Sequence, residues 1–351
     1  MVIVFTGGGT GGHLYPAIAI ADALRERAPK NDFPEIIFIG TADRLEAAIV
    51  PKAGYRLKTI VAQPFLGTSF IDRIHAVYIN TIGVVRSIAF LRRIHPDIII
   101  ATGGYVCFPV VAATRILRLL HLLNTPIALL EPNAQPGLTS RVLTPLADEV
   151  WRAEDTGVPV RASLEKVKAI SKEDARASLG LDRKRSVLLV MGGSQGARSI
   201  NDAIVEVVLK NLLPKDWQVL LIAGARDFKH VSDAGGEGMR VVAYLDDMTV
   251  AYAAADLVIA RSGASTLAEL GVVGVPAILV PYPFASENHQ EANARAFARS
   301  GAAVVVSDSE LDADGLAGVL REVTVPERLE AMRAAFPAGA GGGRLDVFLP
   351  G

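Results

Sequence analysis

The sequence predicts an α/β protein of two doubly wound halves, each built on a parallel sheet, and three observations predict it. Short aliphatic runs alternate with longer stretches of helical character along nearly the whole chain. Two of those runs feed directly into glycine-rich turns. The 351 residues also exceed what one compact α/β unit of ordinary size needs. Runs of four to six aliphatic residues without polar alternation are what parallel strands covered on both faces require. Strand–helix alternation then implies βαβ crossovers with ligands beyond the carboxyl ends of the strands, so two Rossmann-like domains facing a cleft are expected.

In the first half, strands are expected at 2–5, 36–39, 59–61, 98–101 and 127–130. The first, Val2-Ile3-Val4-Phe5, runs into Thr6-Gly7-Gly8-Gly9-Thr10-Gly11-Gly12-His13. So many glycines strip the turn of β-carbons, let backbone N–H groups approach a phosphate, and place it at a helix N-terminus with its partial positive charge. Pro16 is expected in the first turn of that helix, where a missing N–H costs nothing. His13 is the sole titratable side chain of the loop and a candidate proton acceptor. Gly7, Gly9 and Gly12 also satisfy G-x-G-x-x-G, but a dinucleotide site needs an acid at the tip of the second strand. That strand ends in Gly40-Thr41-Ala42-Asp43, with Asp43 three residues late, so a nicotinamide dehydrogenase is the weaker reading. A tight turn with no ligand remains open.

In the second half, strands are expected at 187–191, 219–222, 241–243, 257–260, 277–280 and 303–306. Val187–Met191 runs into Gly192-Gly193-Ser194-Gln195-Gly196, an echo of the first loop. Between the halves, residues 151–186 lose the aliphatic runs and gain charge, which places a boundary at Arg161. The domains are therefore 1–161 and 162–325. A tail follows at 326–351, glycine-rich over 337–344 and expected to be poorly ordered. After Leu257-Val258-Ile259 comes Ala260-Arg261-Ser262-Gly263-Ala264-Ser265-Thr266-Leu267-Ala268-Glu269, a second strand–turn–helix anion site. Glu269, a turn into the helix, either accepts both hydroxyls of a ribose or closes a capping box with Ser265 or Thr266. Gln290 and Asn293, three apart, share a helix face.

Bulk numbers exclude several classes. Half the residues are hydrophobic and 21% are charged, which promises a large core. No apolar stretch reaches 18 residues without a charge, which argues against a spanning helix. Met1 leads straight into the first strand, leaving no expected leader. The lone Cys107 excludes an internal disulfide, fits a reducing cytoplasm, and reads as a small core residue. A net charge of −1 offers nothing to nucleic acid. Its distribution is uneven: residues 44–118 hold 10 basic and 3 acidic side chains. Within that region, residues 70–93 and 115–123 are apolar with interspersed arginines, which suits either core helices or an anionic bilayer surface. Asp312-Ala313-Asp314 is a formal D-x-D, read as a solvated helix start, so no metal and no cofactor are expected.

Gly8-Gly9-Thr10-Gly11-Gly12-His13, Gly40-Thr41-Ala42-Asp43-Arg44, Gly103-Gly104-Tyr105, Gly192-Gly193-Ser194-Gln195-Gly196-Ala197-Arg198 and Arg261-Ser262-Gly263-Ala264 occur in this order. The series resembles the MurG family, the bacterial lipid I N-acetylglucosaminyltransferases of glycosyltransferase family 28, over residues 2 to about 325. The resemblance implies a GT-B fold and an inverting transfer of N-acetylglucosamine from UDP-N-acetylglucosamine to the 4-hydroxyl of undecaprenyl-linked lipid I, giving lipid II. It implies donor contacts from Thr10, Gly11, Gly12, Asn133, Arg161, Ser194, Leu245, Ala264, Ser265, Thr266, Leu267, Ala268, Glu269 and Gln290. Uracil would lie near Leu245, the ribose on Glu269, the sugar on Gln290, and the diphosphate near Arg161. His13 would be the catalytic base, the competing reading being that it only shapes the loop with its ring hydrogen-bonded to backbone, and the protein would be a peripheral one at the cytoplasmic face of the membrane. Two departures stand out. Leu130 and Pro132 flank Glu131 where the family has histidine and glutamine, and the chain closes on a glycine-rich tail where the family has helices. A UDP-N-acetylglucosamine 2-epimerase and a non-catalytic nucleotide-sugar-binding protein are the alternatives.

Overall fold

The computed structural model describes residues 1–29, 33–64, 70–193, 196–245, 247–285 and 288–336. The chain forms two compact units that divide between Arg161 and Ala162. In the first, β1 (Val2–Thr6), β2 (Glu35–Gly40), β3 (Arg56–Thr59), β4 (Ile98–Ala101), β5 (Ile127–Glu131) and β6 (Glu149–Arg152) form one parallel sheet in the order β3-β2-β1-β4-β5-β6. In the second, β7 (Ser186–Met191), β8 (Trp217–Ile222), β9 (Met239–Val242), β10 (Leu257–Ala260), β11 (Ala277–Leu279) and β12 (Ala303–Val305) run β12-β11-β10-β7-β8-β9. The two orders are the same winding: the first strand of each unit pairs with its second and its fourth. The winding therefore reverses between β1 and β4, and again between β7 and β10, and the crevice beyond those strand ends is where such sheets bind ligands.

The aliphatic runs become strands because both faces of each sheet are covered. Phe5 pairs in register with Phe38 and with Ile100. Ile3, Phe5, Phe38, Ile100 and Leu130 point to one face, against Leu14, Ile18 and Ala21 of the helix Gly11–Arg27. Val4, Ile37, Ile99 and Leu129 point to the other, against Leu91, Val110 and Leu117 of the helices Phe70–Ile94 and Cys107–Leu119. In the second unit Leu188, Val190, Leu221 and Ile259 pack with Ile200, Ile204, Leu316 and Leu320. Each such side chain gains about 1.5–3 kcal/mol from burial, and an alternating sequence could not fill both faces.

The structure corrects four expectations. β6 was not among the expected strands, and β3 lies three residues before its expected start; both are polar edge strands. Pro16 is the sixth residue of its helix, because the helix begins at Gly11, with the Thr10 carbonyl accepting from the His13 and Leu14 N–H groups at 3.3 Å. Residues 326–334, placed in the tail, form the helix Pro326–Ala334. Leu329 and Met332 join the core, and Arg333 binds the buried Asp256 carboxylate at 3.2 Å. The glycine-rich segment 337–344 lies outside the described residues. Finally, by length and composition alone Ile71–Ile94 could cross a membrane, a test that core helices also pass. It is also a packed helix of the first unit: Ala76, Asn80, Ser87 and Leu91 are buried along one stripe.

Candidate functional site

In the first unit the site gathers at the winding reversal. Thr10 is the exposed N-cap residue of the helix Gly11–Arg27, and Gly11, Gly12 and His13 form its first turn, where N–H groups lack intrahelical acceptors. His13 is half-buried, and its Nδ1 lies 2.9 Å from the Thr102 carbonyl at the end of β4. A carbonyl only accepts, so Nδ1 carries the proton, and in the neutral ring Nε2 holds the lone pair. Glycine is required opposite: Gly103 has φ +97°, and a β-carbon there would lie 2.5 Å from His13 Nδ1. Arg161 stacks its guanidinium 5.1 Å from the ring centroid of Tyr15, on the same helix as His13. Asn133 donates from its backbone N–H and its side-chain amide to the buried Glu131 carboxylate, at 2.8 and 3.0 Å. Leu130 and Pro132 are both buried beside it. Cys107 is fully buried with Sγ 3.1 Å from the Thr6 and Gly103 carbonyls, and burial pushes its thiol up to about 12, so it is no nucleophile at neutral pH.

In the second unit the helix Ala264–Val273 starts at Gly263 with no side-chain cap. That removes the capping-box reading of Glu269. Its Oε2 instead accepts a 2.8 Å hydrogen bond from the hydroxyl of Tyr252, a fully buried residue of the helix Met248–Ala254. Ala264 and Leu267 are buried with the core face of the helix, while Ser265, Thr266, Ala268 and Glu269 are half-buried. Ala264, Ser265 and Thr266 contribute first-turn N–H groups, which make the helix start an anion cradle. Gln290 is fixed at both ends: its Oε1 accepts from the Tyr282 N–H at 3.0 Å, and its carbonyl accepts from the Ser262 hydroxyl at 2.8 Å. Asn293, buried, reaches the Ser262 carbonyl at 3.4 Å, so both residues of that helix face meet the β10 loop. Leu245 is half-buried after β9. Ser194 lies outside the described residues.

Residues 3–151 match the glycosyltransferase family 28 N-terminal domain, and residues 187–341 the glycosyltransferase family 28 C-terminal domain. The chain belongs to glycosyltransferase family 28. Among its relatives, the UDP-N-acetylglucosamine--N-acetylmuramyl-(pentapeptide) pyrophosphoryl-undecaprenol N-acetylglucosamine transferase of Moorella thermoacetica is 39% identical, covering 99% of this chain and 97% of that protein. The transferase of the same name from Salinibacter ruber is 41% identical over 89% of this chain and 85% of its own. Among solved structures, Acinetobacter baumannii MurG superposes with a TM-score of 0.71 at 24% identity, covering 95% of this chain and 94% of that one. The UDP-GlcNAc 2-epimerase of Neisseria meningitidis reaches 0.62 at 12% identity, covering 99% and 97%, a likeness of fold. The two-domain α/β fold of this family 28 chain is of GT-B type.

Three features of the family 28 site escaped the sequence. Arg261, buried, donates to the Val280 and Pro281 carbonyls at 3.2 and 3.0 Å, to Asp308 at 2.5 Å and to the Ser199 hydroxyl at 2.9 Å. One guanidinium thereby joins the loops after β10, β11 and β12 to the helix Arg198–Leu209. Tyr252 orients Glu269 from a different helix. Glu46, 1% exposed on the helix Leu45–Lys52, accepts from the Gly9 N–H at 3.1 Å and from the N–H and hydroxyl of Thr41 at 3.0 and 2.7 Å. The acid missing from the tip of β2 is thus supplied one turn later, from a helix. Among the described residues no group of three His, Cys, Asp or Glu side chains could hold a metal ion. Asp312 of the D-x-D caps the helix Ala313–Val323 by accepting from the Gly315 N–H at 2.7 Å.

Proposed function

We propose that this chain transfers N-acetylglucosamine from UDP-N-acetylglucosamine to the 4-hydroxyl of lipid I, with inversion, forming lipid II and UDP in peptidoglycan synthesis. The observation that carries the reading is its 39% identity to a transferase of that name across 97% of the relative. The geometry supports it residue by residue. The first-turn N–H groups at Ala264, Ser265 and Thr266 suit a diphosphate. Glu269, oriented by Tyr252, suits the paired hydroxyls of a ribose, and Leu245 offers apolar surface to the uracil. The Tyr282 N–H occupies Oε1 of Gln290, so Gln290 presents its amide N–H₂ as a donor to sugar hydroxyls.

His13 serves as the base. The acceptor hydroxyl loses its proton as the anomeric carbon develops positive charge and the bond to UDP breaks on the opposite face. With Nδ1 protonated toward the Thr102 carbonyl, Nε2 is the basic ring nitrogen that takes that proton, and general-base catalysis of this kind contributes about 10²–10⁴-fold. Thr10, Gly11, Gly12, Asn133 and Arg161 complete the first unit's share.

The protein binds an anionic membrane surface peripherally at the cytoplasmic face, where its lipid acceptor resides. Ile71, Ile74, Val77, Tyr78 and Val85 on the helix Phe70–Ile94 are all more than half exposed, and Arg73, Arg86, Arg92 and Arg93 lie on the same helix. Apolar side chains among arginines suit the headgroup boundary. Arg115 and Arg118 serve a different end, since both bind Asp148, at 3.1 and 2.6 Å. UDP release measured with and without a lipid I analogue tests the transfer. Release that requires the acceptor supports it, whereas acceptor-independent UDP release or epimerisation at the sugar C2 excludes it.

A further inference from the structure

The first glycine loop has the composition of an anion cradle, yet a carboxylate is buried inside it. We propose that Glu46 is a positioning residue for the transfer, locking the loop after β1 so that the helix beginning at Gly11 holds His13 in its working orientation. The role rests on the transferase reading above.

Three features carry it. First, the carboxylate is spent entirely on the two loops: Oε2 accepts from the Gly9 N–H, and Oε1 from both donors of Thr41. Among the described residues no lysine, arginine or histidine nitrogen lies within 4.0 Å of it, so it serves as an acceptor joining the β1 and β2 loops and not as half of an ion pair. Second, the loop is packed onto the carboxylate: a β-carbon at Gly8 would lie 2.6 Å from the Glu46 carboxyl carbon. Third, the bonded Gly9 amide is one residue from Thr10, whose carbonyl accepts from the His13 and Leu14 N–H groups and opens the helix. The Thr102 carbonyl holds the imidazole itself. Glu46, from the helix Leu45–Lys52, acts on the loop that opens the His13 helix.

The same bond bears on ligand choice. The Gly9 N–H, occupied by Glu46, is withdrawn from any phosphate. That is a physical reason why the G-x-G-x-x-G of this chain does not act as a dinucleotide site. Neither close substitute reproduces the device. Glutamine has one acceptor oxygen and turns an N–H₂ toward either Gly9 or Thr41, while aspartate is a methylene too short to reach both.

The test compares the parent with Glu46→Gln and with Gly8→Ala, which leaves the carboxylate in place but pushes the loop off it. Three quantities are read on folded protein: kcat with a lipid I analogue, the UDP-N-acetylglucosamine dissociation constant by calorimetry, and the His13 ring ¹⁵N shifts. Both variants are expected to lower kcat roughly a hundredfold, the scale of an ångström misplacement of a catalytic group. Donor affinity, to which the same loop contributes through Thr10, Gly11 and Gly12, should fall less than kcat does, and His13 should change from a single Nδ1–H tautomer to a mixture, a response that simple destabilisation does not produce. Turnover per folded molecule within about threefold of the parent overturns the proposal, as does lost turnover with unchanged His13 shifts. If Glu46→Gln fails to fold, Gly8→Ala decides by the same criteria. If the parent itself transfers no sugar, the transferase reading falls, and unchanged His13 shifts in the variants would separately remove Glu46 as the anchor.

Discussion

Replacing Glu269 with alanine tests a proposed ligand contact beside an observed structural one. In the proposed donor site its charged oxygens accept from the hydroxyls of a ribose. Toward the interior it accepts from the Tyr252 hydroxyl at 2.8 Å. Losing the charged hydrogen bonds to a ligand should cost about 1.5–3 kcal/mol, a ten- to hundredfold weaker donor. The substitution also removes the 2.8 Å acceptor of a hydroxyl on a residue that is 1% exposed, which costs about 1–3 kcal/mol of stability. Tyr252→Phe divides the two effects. It leaves the carboxylate and removes only its orienting donor, so donor affinity should fall less than tenfold, about 0.5–1.5 kcal/mol. Calorimetric titration with UDP-N-acetylglucosamine and a thermal melt on each variant read both quantities. A Glu269→Ala protein with lowered Tm and unchanged Kd would refute the ribose role and leave Glu269 as nothing more than the partner of Tyr252.

The proposed base, the stability in acid and the proposed membrane face can each be tested separately. His13→Ala should lower kcat by about 10²–10⁴ while donor affinity stays within a few-fold; turnover within tenfold of the parent across pH 6–9 would remove His13 as the base. Burial acts to raise the Asp148 carboxyl, but the Ile127 N–H and the Arg118 and Arg115 guanidinium groups outweigh it and hold the carboxyl below its ordinary 3.8. A depressed folded value contributes stability above pH 3.8 that is lost as pH falls through it, so Asp148→Asn should be destabilised at pH 7 and converge on the parent in acid. An equal gap at pH 7 and pH 2.5 in denaturant titrations would contradict that. Ile71→Glu with Ile74→Glu should leave Tm unchanged, both side chains being exposed, and reduce sedimentation with anionic vesicles at least tenfold; unchanged sedimentation would clear this helix of membrane contact.

The interior strands were legible because each is buried on both faces, and continuous aliphatic runs such as Val187–Met191 have few other uses. β6 was not, since Glu149-Val150-Trp151-Arg152 is an edge strand with charged ends that, among the described residues, pairs with β5 alone. β3, Arg56-Leu57-Lys58-Thr59, is likewise a polar edge, and the more apolar Ile60-Val61 beside it drew the expectation forward. The loops of the site were legible from glycine content alone, because close backbone approach leaves a compositional trace. Their supports left none. Glu46 meets Gly9 across 37 residues, Tyr252 meets Glu269 across 17, and Arg261 meets Asp308 across 47. Such contacts depend on which strands become neighbours, and no local pattern records that.

The most direct measurement is transfer of labelled N-acetylglucosamine from UDP-N-acetylglucosamine to a short-chain lipid I analogue by the purified chain, with the anomeric configuration of the product determined. The expected product is a disaccharide-bearing lipid with inverted, β-configured linkage, with one UDP released per sugar transferred. Intact donor binding with no label in the lipid, or a product with retained configuration, would contradict inverting transfer.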